Sequence, residues 1–168
     1  MKKLLSVIMI LSLIFCLFSC KKDKSPSEPL VLTAFEDEAT SLWGYKDQNG
    51  NIVIKPEFDR AHPYFEGRAI AQKNKALTFI DENGKPITEY KFKEAGNFSQ
   101  GLAVVTEGDK FGFIDKDGKL VIDYIYDNAT SFQEDGYALV VLDGKTIKID
   151  KNGNDITPTP APEEETKE

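Results

Sequence analysis

The chain has 168 residues, with 21 basic against 28 acidic side chains and a formal net charge of −7. An acidic balance with no basic cluster beyond the N-terminal segment excludes nucleic acid as a partner class. A single histidine excludes a zinc site, which needs three or four clustered His or Cys ligands.

Lys2 and Lys3 precede an almost uninterrupted apolar run of about 14 residues, Leu4 to Leu17. That length suits the hydrophobic region of a secretory signal and falls short of the roughly 20 residues a spanning helix needs. The run ends in Leu17-Phe18-Ser19-Cys20, which resembles the lipobox of bacterial lipoproteins. Leu17 and Ser19 fit the pattern, Phe18 is bulkier than usual, and Cys16 does not fit because Phe15 precedes it. The resemblance implies a signal peptide over 1–19, lipidation of Cys20 and a polar tether over 20–29. It implies a protein held to a membrane of the cell envelope, the outer membrane or cell surface being favoured over the inner membrane. A plain secretory signal or an uncleaved anchor is the alternative. Cleavage removes Lys2 and Lys3, leaving 19 basic against 28 acidic side chains, a net of −9, and leaves Cys20 as the only cysteine. No intramolecular disulfide is then available, so residues 30–156 must hold together by packing.

Across that region a motif recurs. Asp47-Gln48-Asn49-Gly50, Asp81-Glu82-Asn83-Gly84, Asp115-Lys116-Asp117-Gly118 and Asp150-Lys151-Asn152-Gly153 have glycines 34, 34 and 35 positions apart. A fixed period in this range marks an array of units too small to bury a core alone. Before each tetrad, aromatic residues at Trp43 and Tyr45, at Phe79, and at Phe111 and Phe113 alternate with other residues, as in a strand. After it, Val53, Ile87, Val121 and Ile156 stand in a second short strand, joined to the first by a hairpin turn that glycine closes. Phe58, Phe92 and Tyr126 follow, then Ala61, Ala95 and Ala129, and then Phe65, Phe98 and Phe132. Gly67, Gly101 and Gly136 next introduce a third strand in each unit, for example Leu102-Ala103-Val104-Val105. Length varies only in the link between phenylalanine and glycine, which marks an exposed loop there.

The pattern resembles the WG repeat family, also called KWG repeats. Trp43-Gly44-Tyr45 carries the signature pair and Phe111-Gly112-Phe113 is a close variant. Phe58-Asp59-Arg60-Ala61, Tyr126-Asp127-Asn128-Ala129 and Phe98-Ser99-Gln100-Gly101-Leu102-Ala103-Val104-Val105 match the later steps. The units run about 43–76, 77–110 and 111–145, with a half-unit at 146–156 that reads as a cap. Leu77-Thr78 departs from Trp-Gly in the second unit. The expected fold class is all-β: tandem antiparallel hairpin or three-strand repeats of about 34 residues in an open array, solenoid-like or part of a propeller. Residues 157–168, alternating in proline and then rich in glutamate, are expected to be a disordered tail.

An enzyme is not expected. His62 lies in Ala61-His62-Pro63 with no nucleophile near it in sequence, and the carboxylates recur with the repeat as turn residues. No cofactor is implied. The tetrads offer calcium-loop chemistry as an alternative, yet calcium takes 6–8 oxygens and no carboxylate follows Gly118 until Asp123. The expected role is a binding module for an unidentified protein or glycan, with a structural spacer of the envelope as the alternative. The candidate binding residues are those of the variable links: Glu66, Gln100, Gln133, Glu134 and Asp135.

Overall fold

The structure, a computed structural model, describes residues 30–159. The signal segment, Cys20, the tether and the tail from residue 160 lie outside the described residues. Thirteen strands form four antiparallel sheets in chain order. The first holds β1 (Thr33–Glu36), β2 (Trp43–Lys46) and β3 (Ile52–Phe58), and the second holds β4 (Arg60–Ala61), β5 (Ala69–Lys73) and β6 (Ala76–Ile80). The third holds β7 (Glu94–Ala95), β8 (Leu102–Thr106), β9 (Phe111–Asp115) and β10 (Leu120–Tyr126), and the fourth β11 (Asn128–Ala129), β12 (Ala138–Leu142) and β13 (Lys145–Ile149). The fold is all-β with a repeat architecture, as the period implies.

The three strands of one sequence repeat do not share a sheet. β2 and β3 of the first unit lie in sheet one, whereas its third strand, β5, lies in sheet two beside β6 of the next unit. Two local features impose this division. Asn74 and Lys75, both at positive φ, close a two-residue hairpin that makes β5 and β6 neighbours. Between β3 and β4 stands only Asp59, whose N–H already bonds to Gln72 in sheet two (2.9 Å), so the strand bends straight across the gap. Lys93 and Asp127 repeat that corner, donating to Thr106 and Val141 at 2.8 Å.

Packing follows from the division. Three core clusters lie one between each successive pair of sheets, and among the described residues none joins the fourth sheet back to the first. β5 sends Ala69 and Ala71 into the first cluster and Ile70 into the second; β8 sends Ala103 and Val105 into the second and Leu102 and Val104 into the third. Strands buried on both faces read as continuous apolar runs, which is why these stretches lack polar alternation. Aromatic pairs bind each sheet to the next at T-shaped angles: Tyr45 with Tyr64 (4.9 Å), Phe79 with Phe98 (4.8 Å) and Phe113 with Phe132 (5.1 Å). The first ring of the link is therefore Tyr64, not Phe65, which is left 43% exposed. Aligned on Tyr64, the first two links have equal length, and only 132–136 carries an extra residue.

The glycine of the Trp-Gly pair is required by close approach. A Cβ on Gly44 would stand 2.5 Å from the Ile54 carbonyl oxygen, and one on Gly112 would stand 2.6 Å from that of Ile122. The second unit has Thr78 there, and its hydroxyl donates to the Thr88 carbonyl (2.9 Å) and lies 2.8 Å from the Thr88 hydroxyl. With the side chain filling that space, residues 86–92 make only isolated bridges, Ile80 to Pro86 and Leu77 to Phe92, in place of the second strand that the sequence predicts at Ile87. The tetrad glycines also join neighbours: a Cβ on Gly118, at φ +80°, would stand 2.6 Å from Thr88 Cγ2. Gly50, with no sheet before its own among the described residues, has nothing within 4 Å.

Both ends of the stack are capped by lysine. In the pairs Ala69–Ile80, Ala103–Ile114 and Ala138–Ile149 the isoleucine faces the preceding sheet; in sheet one the same pair is Thr33–Lys46. Tyr45, Phe79 and Phe113 face the following sheet, and the matching position in sheet four is Lys148. Each lysine lies over a ring that would otherwise face solvent, Lys46 over Phe35 at 4.0 Å and Lys148 over Tyr137 at 4.2 Å. Polar outer faces are what an open repeat array needs at its ends.

Some expectations need correction. β1 is a third-strand equivalent preceding the first tetrad, in a stretch where the repeat gave no strand. Which face the second strand of the hairpins buries was left open by the sequence: Val53, Val121 and Ile156 are exposed, while Ile54 and Ile122 are buried one residue later. The bulges in β3 and β10 shift the face that points inward. Thr157, assigned to the tail, bonds to the last sheet: its hydroxyl accepts from Lys148 N–H at 2.8 Å.

Two outcomes follow from this packing. Gly112→Ala is expected to destabilise the fold by about 2 kcal/mol through overpacking, while Gly108→Ala, with nothing within 4 Å and no positive φ, stays within about 0.5 kcal/mol, both read by urea unfolding. Replacing the cap lysines with their repeat counterparts, Lys46→Ile with Lys148→Phe, should raise concentration-dependent end-to-end association above that of the parent, read by light scattering.

Candidate binding surface

The four tetrads have one geometry. In each, the glycine N–H donates to the Asp carbonyl at 2.9–3.0 Å, and Asp Oδ1 accepts two backbone N–H groups, from the second and fourth residues after it. Asp47 accepts from Asn49 and Asn51, both at 2.8 Å. The Asn51 amide also binds Asp47 Oδ2 at 2.9 Å, and this contact leads in holding the Asp47 carboxyl below its usual pKa. Asn154 does the same for Asp150. This is turn chemistry carried by the carboxylate. Among the described residues no three His, Cys, Asp or Glu side chains gather as a metal site.

The predicted link residues form a row of surface turns. Glu66-Gly67 and Gln100-Gly101 are two-residue hairpin turns with positive φ at both positions. Residues 133–136 form a longer turn, closed by Gln133 N–H to Tyr137 (2.8 Å) and Gly136 N–H to Gln133 (2.9 Å). Glu66 reaches the next turn directly: its carboxylate accepts from Gln100 N–H (2.8 Å) and Gly101 N–H (3.0 Å), and pairs with Lys116 at 3.1 Å. Burial works to raise the Glu66 pKa, but Lys116 and the two N–H groups outweigh it and hold the carboxyl below its ordinary value. Arg68 donates from Nε to the Lys116 carbonyl at 2.9 Å, and Lys151 Nζ stands 3.4 Å from Gln100 Oε1. Glu66 is thus a strut between turns, and Gln100 is part of its socket. Glu134 and Asp135 are exposed, with side chains that make no hydrogen bond among the described residues.

A second feature was invisible in the linear sequence. A groove of about 470 Å³ opens between the end of β1 and the corner after β3, walled by Glu36, Ser41, Trp43, Asp59, Arg60 and His62. Trp43 is half-buried and is the only tryptophan. Its wall is fixed by the 37–42 turn, where Asp37 accepts from the Thr40 N–H (3.0 Å) and hydroxyl (2.7 Å), and Ser41 N–H donates to the Asp37 carbonyl (2.7 Å). Ser41 is held at φ 56°, in the sparsely populated left-handed region. The opposite wall is fixed by the buried Tyr45, whose hydroxyl donates to the His62 carbonyl at 2.8 Å.

Ser41 and His62, far apart in sequence, therefore share one groove. No hydrogen bond joins their side chains, so the contact that activates a serine nucleophile is not made. The Ser41 and Leu42 N–H groups are both engaged within the turn, to the Asp37 carbonyl and the Thr40 hydroxyl, so neither is free to serve an oxyanion. No sequence signal marks the groove, because residues 36–43 and 59–62 meet only through the corner at Asp59.

A family model described as WG containing repeat matches the chain three times, over residues 43–75, 78–111 and 111–145. No curated protein and no solved structure matches it.

The strut gives a pH dependence of known sign. A depressed folded-state pKa means that the Glu66 contribution is present above its ordinary value of 4.5 and is lost as pH falls through the lower folded value. Glu66→Gln should lower stability by no more than about 1 kcal/mol at pH 7, because the side chain is still one-third exposed and its ion pair is screened by solvent. The gap to the parent should narrow as pH falls below 4.5 in paired thermal melts.

Proposed function

The chain belongs to the family of WG-containing repeat proteins, and on that premise we propose that it is an envelope lipoprotein whose repeat array is a non-catalytic binding module. Cys20 carries the lipid, and the tether 20–29 holds the array off the outer membrane or the cell surface. The observation that carries the binding role is the Trp43 groove, with Glu36, Arg60 and His62 facing a common space without partners among the described residues. Elsewhere the structure's ion pairs, Lys73–Glu57, Lys91–Glu107, Lys110–Asp127 and Lys116–Glu66, are made between neighbouring elements of the fold. Charged side chains that converge on a fixed cleft without internal partners are available to a ligand. The row of link turns adds Glu134 and Asp135 as a second exposed contact region. Family membership supports the array and leaves its ligand open.

The test uses the full chain expressed with its lipid, in detergent. Palmitate labelling should be lost in Cys20→Ala; persistence of the label contradicts the anchor. The purified lipidated chain should bind a fractionated envelope component saturably, and Arg60→Gln or the pair Glu134→Gln with Asp135→Asn should weaken that binding without changing the melting temperature. A folded protein with no saturable binding in any fraction would contradict the module and leave a spacer role.

A further inference from the structure

We infer that the Trp43 groove is a glycan subsite that takes a neutral pyranose unit, a reading that rests on the binding role proposed above and names its ligand class. The groove's volume of about 470 Å³ falls within the range of small-molecule sites. Its chemistry is mixed in a particular way. Trp43 supplies an apolar indole surface with a polar N–H at its edge. Around it Glu36 can only accept hydrogen bonds, Arg60 can only donate them, and the Ser41 hydroxyl can do both. A pyranose matches this set, since its ring presents an apolar C–H face and a girdle of hydroxyls that each donate and accept.

Other ligand classes fit less well for stated reasons. A purely apolar ligand would strip water from Glu36 and Arg60 and give them no partner. The carboxylates of Glu36 and Asp59 outnumber the Arg60 guanidinium in the groove, so a polyanion meets repulsion here as it does over the whole acidic chain. A cation is drawn to the indole face but meets the Arg60 guanidinium on the same rim. An extended peptide would need a sheet edge, and the edge strands that border the groove are short: β1 has four residues and β4 has two.

The walls are also preorganised. Asp59 Oδ2 accepts from Asn74 N–H at 2.6 Å, which fixes the corner carrying Arg60. Ser41 keeps its strained backbone because the Asp37–Thr40 turn locks the loop on the other side. A site fixed before binding loses little conformational freedom when a ligand enters. The other sheet interfaces do not repeat this groove: the positions of Trp43 and Arg60 are held by Leu77 and Glu94 at the second and by Phe111 and Asn128 at the third. Among the described residues the subsite is therefore single, at the first interface.

The only tryptophan of the chain is the reporter. The full lipidated chain in detergent is titrated with neutral β-linked gluco- and galacto-oligosaccharides, with N-acetylated oligosaccharides, with polygalacturonate as the polyanion, and with a mixed-sequence peptide. A saturable shift or quench of Trp43 emission is expected with at least one neutral saccharide. Glu36→Gln and Arg60→Gln should each weaken it by about tenfold or more, with melting temperature unchanged. The inference is overturned if no neutral saccharide changes the emission at millimolar concentration, if the change is indifferent to both variants, or if only the polyanion or the peptide binds. Failure here with envelope binding intact removes only the ligand class. Failure of both removes the binding module.

Discussion

Everything in this molecule depends on the contact between one sheet and the next, because no sheet has a core of its own. Each unit makes that contact internally. Its hairpin belongs to one sheet, its third strand to the following one, and an aromatic pair such as Phe113 with Phe132 closes the gap between them. A sequence repeat is therefore a joint between layers and not a layer. Phe113 is fully buried and Phe132 nearly so, and losing a ring of that kind typically costs about 3–5 kcal/mol. With no disulfide within the folded region, these joints and the clusters around them supply the cohesion.

The glycines express the same constraint on a finer scale. Gly44 and Gly112 let the second strand of a hairpin press onto the first, and Gly118 lets a turn seat on the residues of the previous sheet. Thr78 is informative because it breaks the rule: the hydroxyl pair with Thr88 replaces backbone contact, and the strand there dissolves into isolated bridges. The cap lysines mark where the joints stop. A lysine where the repeat has isoleucine or an aromatic ring turns a sticky face into a solvated one.

The period, the four turns and the strands of the first and third units were legible in the sequence, since each rests on local chemistry: an Asp that caps its own turn, a glycine at positive φ, an apolar run; the second strand expected at Ile87 in the second unit does not form. The phase of the sheets was not. A 34-residue period says that units are equivalent, and the two-residue turn at Asn74-Lys75 decides which strands pair. β1 escaped notice because it has a third strand's pattern without the tetrad that identifies a unit. The choice of Phe65 over Tyr64 failed because both are aromatic and only the partner Tyr45 distinguishes them. Of the candidate link residues, Glu66 has the next turn's N–H groups as its partners, a long-range contact that its local sequence does not reveal. The Trp43 groove needed residues 36–43 and 59–62 to be brought together by the corner at Asp59, which no spacing encodes.

The account's central claim, that a repeat joins two sheets, is tested most directly by where the chain can be cut. A chain ending at residue 145 retains all three matched repeats but loses β13, leaving β12 unpaired along one edge and the third cluster without Ile147 and Ile149. A chain ending at residue 159 keeps every described strand. Thermal unfolding of the two beside the full chain is predicted to leave the longer one unchanged and to lower the melting temperature of the shorter one by about 10 °C or more, with exposed apolar surface in dye binding. Equal melting temperatures for all three would contradict the claim and show that each repeat is a self-sufficient layer.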